Sequence, residues 1–175
     1  MKDKKAIFLD RDGILNYIIH RDGKYVSPRT FKEFQLKEGI EEFTQEIKKR
    51  KFLIIVITNQ PDIARGFMRT EDLEKMHRFL TKSCLIDKII ICPHDDANNC
   101  ACRKPKAGML VEAAKEWRID LKNSFIVGDT WKDIGAGKNA GCKTILWKMV
   151  YNDNVDADFK VKSFKEILKI IGSNN

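Results

Sequence analysis

No apolar run in this sequence is longer than Phe52–Ile57, far short of the roughly 20 residues that span a bilayer. The amino terminus has lysines followed by a short apolar run, Ala6–Leu9, which is not a signal-peptide pattern. Proline (4 residues) and glycine (10) are sparse, and no stretch of Pro, Gly or Ser divides the chain. Residues 1–175 are therefore expected to form one domain. Internal repeats and low-complexity tracts are lacking. So is a basic block with interleaved aromatics, although the net charge is +8. The scattered lysines read as a solubilising surface, so nucleic acid is not the expected partner. The five cysteines contain no C-x-x-C, which argues against a redox role, and a cytoplasmic monomer with reduced thiols is expected.

What the chain does have is 43% hydrophobic and 33% charged residues, the balance of a soluble globular protein. At 175 residues it can bury a core without disulfides. Strand-like runs recur at Ala6–Leu9, Phe52–Ile57, Lys88–Cys92, Ser124–Val127 and Lys143–Trp147. Helical periodicity lies between and after them, at Glu38–Lys49, Thr70–Leu80, Gly108–Trp117, Asp133–Ala140 and Ser163–Ile170, with Thr70 as an N-cap. The alternation predicts an α/β fold, a parallel sheet covered on both faces in three layers. Tyr17–His20 and Lys24–Val26 flank Arg21-Asp22-Gly23, a hairpin signal, and this hairpin should hang over the first strand's end as a flap. His20 lies on that flap and reads as surface. Cys84 and Cys142 read as core filler.

Chemistry-bearing residues fall where the strands end. Asp10-Arg11-Asp12-Gly13 follows the first strand, and open α/β sheets place their sites at carboxyl ends. One of the two carboxylates can be a nucleophile or a metal ligand, and the other a general acid/base. Thr58-Asn59-Gln60 ends the second strand, where a hydroxyl can bind a phosphoryl oxygen. Gly128-Asp129 ends the fourth, with Asp133 four residues on, expected as an outer-shell or helix-surface group. Three acids at one place repel one another unless a cation intervenes, and oxygen ligands with a phosphate substrate suit Mg²⁺. Arg103-Lys104-Pro105 supplies positive charge that could hold a transferring phosphoryl group. Taken alone, each of these has an ordinary reading: a turn, a strand cap, a helix cap or a solvated cation.

The order Asp10-x-Asp12, Thr58, Lys104, Gly128-Asp129 resembles the haloacid dehalogenase (HAD) superfamily over nearly the whole chain. That resemblance implies a HAD-like Rossmannoid sandwich and a phosphatase. It implies Asp10 as nucleophile, Asp12 as general acid/base, and Thr58 and Lys104 as phosphoryl-binding. It implies Mg²⁺ held by Asp10, Asp129 and Asp12, the last through its backbone carbonyl. The spans Tyr17–Lys51 and Gln60–Arg103 leave no room for a cap domain.

Cys92-Pro-His94 and Cys100-Ala-Cys102 offer three thiolates and an imidazole, a full tetrahedral Zn²⁺ shell with no open position. The polar stretch Asp95–Asn99 between them reads as an exposed loop. Followed at once by Arg103-Lys104-Pro105-Lys106, it is similar to one HAD branch. That branch comprises the D-glycero-D-manno-heptose 1,7-bisphosphate phosphatases and the related histidinol-phosphate phosphatase domain. This likeness implies a sugar bisphosphate substrate, contacted by Thr58, Asn59, Gln60, Arg103 and Lys104, on the path to nucleotide-activated heptose. Pro61-Asp62 stand where that branch commonly has Ser-Gly, and Thr130 where it has lysine. Histidinol phosphate and a 3′-phosphorylated nucleic acid end are the competing substrates. A non-catalytic, zinc-stabilised nucleic-acid module would require the acids, Thr58 and Lys104 to be accidents.

Overall fold

The computed structural model describes residues 3–172. The first strand, β1 (Ala6–Leu9), is followed by a hairpin of β2 (Ile19–Arg21) and β3 (Lys24–Val26). Then come α1 (Ile40–Lys49), β4 (Leu53–Asn59), a single turn α2 (Pro61–Ala64) and α3 (Thr70–Ser83). The second half alternates β5 (Lys88–Cys92), α4 (Gly108–Trp117), β6 (Phe125–Gly128), α5 (Trp131–Ala140), β7 (Lys143–Trp147), β8 (Phe159–Val161) and α6 (Phe164–Gly172).

Six strands form one sheet in the order β5-β4-β1-β6-β7-β8, every adjacent pair parallel. The central runs are apolar at every position because both faces are covered. Ile7, Leu9, Ile54, Val56 and Val127 pack on one side against Phe43 and Ile47 of α1, Met76 and Leu80 of α3, and Ile167 of α6. Phe8, Ile55, Ile57 and Ile126 pack on the other against Met109, Leu110 and Ala113 of α4 and Ala136 of α5. The result is the expected three-layer α/β sandwich. Chain order places β4 on one side of β1 and β6 on the other. The carboxyl end of β1 is thus the topological switch point, where such sheets open a crevice.

The hairpin forms as expected, with Arg21 opposite Lys24. Asp22 and Gly23 both have positive φ, +50° and +73°, which suits a two-residue turn between twisted strands. Three local expectations need correction. Thr70 is the first residue of α3 and Arg69 is its cap. Ser124 precedes β6, because its amide closes the preceding turn on the Leu121 carbonyl at 3.0 Å; its Oγ donates to the Asp120 carbonyl and accepts from the Ala6 amide. Sequence reading also missed β8, whose three residues are too few to carry a period.

Candidate active site

Asp10 leaves β1 beside the β6 edge, its amide donating to the Val127 carbonyl at 2.9 Å. Its Oδ1 accepts from the Arg11 amide at 2.7 Å and meets the Lys104 ammonium at 2.8 Å. Lys104 is 2% exposed. Its Nζ also donates to Asp133 Oδ1 at 2.6 Å and to the Ile57 carbonyl at 3.1 Å, so its three protons have three acceptors. Burial pushes the Asp10 carboxyl well above the usual range; Asp133, Asp129 and Asp12 push the same way, against Lys104. Burial alone would lower the Lys104 ammonium, but Asp10 and Asp133 outweigh it and raise it.

Asp12 sits in a different environment. Its Oδ1 accepts from Arg11 Nε and Asn16 Nδ2, both at 3.0 Å. Its Oδ2 accepts from an Arg11 terminal nitrogen at 2.9 Å and Gln60 Nε2 at 2.8 Å. Burial works to raise this carboxyl, but Arg11, Gln60 and Asn16 overcome it, and the net shift is downward. The two acids are therefore pushed in opposite directions by their surroundings. Arg11 is itself fully buried, its other terminal nitrogen donating to His77 Nε2 at 3.1 Å under the Phe34 ring. Burial and the Arg11 charge lower His77 to about 4.

Asp129 closes the cluster from the end of β6. Its Oδ2 accepts from the Tyr151 hydroxyl, while Oδ1 is buried with no hydrogen-bond partner. Burial and Asp133 push its carboxyl up to about 7. Asp10, Asp129 and Asp133 each bring a carboxylate oxygen within 4.8 Å of the others. Asp133 is fully buried rather than on the helix surface. As the third residue of α5 its Oδ2 caps the helix, accepting from the Thr130 amide at 3.0 Å and hydroxyl at 2.5 Å, while Oδ1 holds Lys104. The open position among these acids is therefore bounded by Asp10 and Asp129, whose buried Oδ1 fits a hard cation.

A cavity of about 590 Å³ opens above this cluster. Asp10, Asp12, Asn59, Arg103, Lys104 and Asp129 line it, with Tyr25 of the flap and Tyr151. Thr58 and Gln60 are each 1% exposed and lie behind the wall. Gln60 Nε2 bridges Thr58 Oγ1 and Asp12 Oδ2, both at 2.8 Å, which makes Gln60 a strut. Asn59 grips the Lys104 backbone through two hydrogen bonds of 3.1 Å.

The cysteine loop lies beside it. Pairs among Cys92, Cys100 and Cys102 have sulfur separations of 3.2 to 3.6 Å, and none is disulfide-bonded. His94 Nδ1 lies 3.4 Å from Cys102 and 3.7 Å from Cys92. Those spacings approach the edges of a tetrahedron with ligand bonds of about 2.3 Å, so the four residues fit Zn²⁺. The loop grips Arg103, whose Nε donates to Asp96 at 2.6 Å and Nη1 to the His94 carbonyl at 3.1 Å.

A profile described as HAD-hydrolase-like matches residues 101–158. A D-glycero-alpha-D-manno-heptose-1,7-bisphosphate 7-phosphatase from Campylobacter jejuni is 40% identical, covering 94% of each chain. The chain belongs to the HAD-like heptose-1,7-bisphosphate 7-phosphatase family. A relative from Helicobacter pylori, 37% identical over 98% of this chain and 99% of its own, carries the beta name. The crystal structure of a D,D-heptose 1,7-bisphosphate phosphatase from B. bronchiseptica, complexed with magnesium and phosphate, superposes with a TM-score of 0.81. It is 27% identical and covers 98% of this chain and 99% of its own.

Sequence reading brought the strand-end acids and Lys104 together correctly in space. It missed Arg11, Asn16, His77, Tyr151 and Asn152. Arg11 had a signal, a cation between two site acids. Tyr151 and Asn152 had none, because loop residues have no period that says what they face.

Proposed function

We propose that this heptose bisphosphate phosphatase family member removes the 7-phosphate of D-glycero-D-manno-heptose 1,7-bisphosphate, using Mg²⁺ and an aspartyl-phosphate intermediate. The observation that carries the reading is the position of Asp10 at the cavity, 2.8 Å from a buried lysine and beside Asp129, with a second carboxylate two residues on. Asp10 faces the cavity at the Lys104 ammonium, whereas Asp12 is held by four donor contacts.

In this reading Asp10 Oδ attacks phosphorus as the bond to the leaving sugar oxygen breaks. Asp12, held ionised by its donors in the substrate-free protein, first takes a proton from the substrate's phosphate monoanion, gives it to that oxygen, and then takes one from the water that hydrolyses the acyl phosphate. Lys104 neutralises charge on the transferring group and opposes the burial that raises Asp10, so that Lys104 and a bound cation together would favour its ionised form. Asn59 meets the phosphoryl oxygens from the cavity wall, while Thr58, expected there, lies behind the wall and braces Gln60, which steadies Asp12; Arg103 meets the substrate from the zinc-loop side. Asp10, Asp129 and the Asp12 carbonyl would hold Mg²⁺, which screens carboxylate from phosphate. Cys92, His94, Cys100 and Cys102 would hold a structural Zn²⁺, with thiolates suited to a reducing cytoplasm. One sheet serving both cores supports a single domain.

The test is phosphate release with Mg²⁺ from heptose 1,7-bisphosphate in both anomers, histidinol phosphate and a 3′-phosphorylated oligonucleotide. A strong preference for one heptose anomer is expected, and Asp10→Asn should abolish turnover. Equal, feeble rates on all four would overturn the substrate. Full activity in Asp10→Asn would overturn the covalent route.

A further inference from the structure

Two consecutive loop residues hold Asp129 at both of its ends. Tyr151 donates its hydroxyl to Asp129 Oδ2. Asn152, 3% exposed, donates its amide to the Asp129 carbonyl and to the Trp147 carbonyl, each at 2.8 Å. Its own Oδ1 accepts from the Met149 amide at 2.9 Å, which fixes the loop's shape. With Oδ2 engaged, Asp129 keeps its Oδ1 buried and without a hydrogen-bond partner.

The same tyrosine reaches the flap. Its ring lies 4.9 Å from that of Tyr25, tilted by 42°, and Tyr25 meets its cross-strand neighbour His20 edge-on at 5.5 Å. Among the described residues the hairpin shares no ladder with the six-stranded sheet; the Tyr17 amide ties its base to the Gln35 carbonyl at 2.9 Å, and side-chain contacts such as Tyr25 on Tyr151 meet its far strand. Tyr25 and Tyr151 both line that cavity.

We propose that Tyr151 is a positioning residue with two separable tasks: its hydroxyl aims Asp129 at the cation, and its ring latches the flap over the substrate. The inference rests on the Mg²⁺ phosphatase reading above. The hydroxyl acts through orientation, as groups that hydrogen-bond a metal's carboxylate ligand generally do. The ring acts through packing, which a phenylalanine would retain.

Three proteins separate the tasks: wild type, Tyr151→Phe and Tyr25→Leu. Mg²⁺ affinity is read by calorimetry on substrate-free protein, and KM for the bisphosphate at saturating Mg²⁺. Tyr151→Phe should weaken Mg²⁺ binding about tenfold while leaving KM within about twofold of wild type. Tyr25→Leu should leave Mg²⁺ affinity at the wild-type value and raise KM several-fold. Unchanged or tighter Mg²⁺ binding in Tyr151→Phe would overturn the first task. An unchanged KM in Tyr25→Leu would overturn the second. Equal loss of Mg²⁺ affinity in both variants would mean general loosening and overturn the separation. If wild type binds Mg²⁺ but hydrolyses neither heptose anomer, the substrate reading fails while the first task is still decided by calorimetry. A wild type that binds no Mg²⁺ overturns both.

Discussion

Lys104 and Asp133 show how one buried pair can serve both stability and chemistry. Asp133 Oδ1 takes one proton of the Lys104 ammonium and Asp10 Oδ1 another, so Asp133 steers the cation onto Asp10. Removing one partner of a buried ion pair leaves an uncompensated charge. Asp133→Ala should lower unfolding free energy by roughly 3 kcal/mol, the low end of that range because Asp10 remains. Urea titration of the variant measures this, and a loss below about 1 kcal/mol would deny the pair its structural role. Gly13 is a second residue with little freedom. Its φ is +87°, and a Cβ there would stand 2.2 Å from Asp129 Oδ2. Gly13→Ala should therefore displace the Asp129 carboxylate and weaken Mg²⁺ binding more than it destabilises the fold. Calorimetry and a thermal melt on the same sample compare the two effects.

At the scale of elements, the legible parts were those with a period. Lys88–Cys92 and Lys143–Trp147 are strands at the bounds their apolar runs predict, and Asp22-Gly23 makes the expected hairpin turn. Asp10, Lys104 and Asp129 could be read because strand ends in a parallel sheet share one edge. Gln60 was harder to read, since its neighbours line a pocket but its own amide turns inward to Asp12 and Thr58. The cysteine–histidine loop was legible as a ligand set but not as a support. Only the fold shows Arg103 held by Asp96 and by the His94 carbonyl. Chelating the proposed Zn²⁺, or Cys100→Ser, should lower the melting temperature and also raise KM by freeing Arg103. A melt and a KM that both stay at wild-type values after verified metal loss would deny the loop either role.

Across the whole molecule, packing and catalysis conflict at the switch point, and pH exposes the conflict. Burial raises the Asp10 carboxyl, and burial with Asp133 takes Asp129 to about 7. A carboxylate whose folded pKa is raised contributes stability that is present below its unfolded pKa, near 4, and lost as pH rises through the folded value. Metal-free protein should thus lose stability from Asp129 between pH 4 and about 7, with Asp10 acting in the same direction. His77, lowered to about 4, acts in the opposite sense over part of the same window, because its unfolded form takes up a proton that the folded ring does not. Comparing metal-free with Mg²⁺-saturated protein cancels His77, which touches Arg11 rather than the cluster. The stabilisation by Mg²⁺ should therefore grow from pH 4 to 7, by up to about 1.4 kcal/mol per pH unit for each acid the cation keeps ionised. Denaturant titrations at pH 4.5, 5.5 and 6.5, with and without Mg²⁺, measure the slope. A flat difference would mean that the cation does not bind at Asp10 and Asp129.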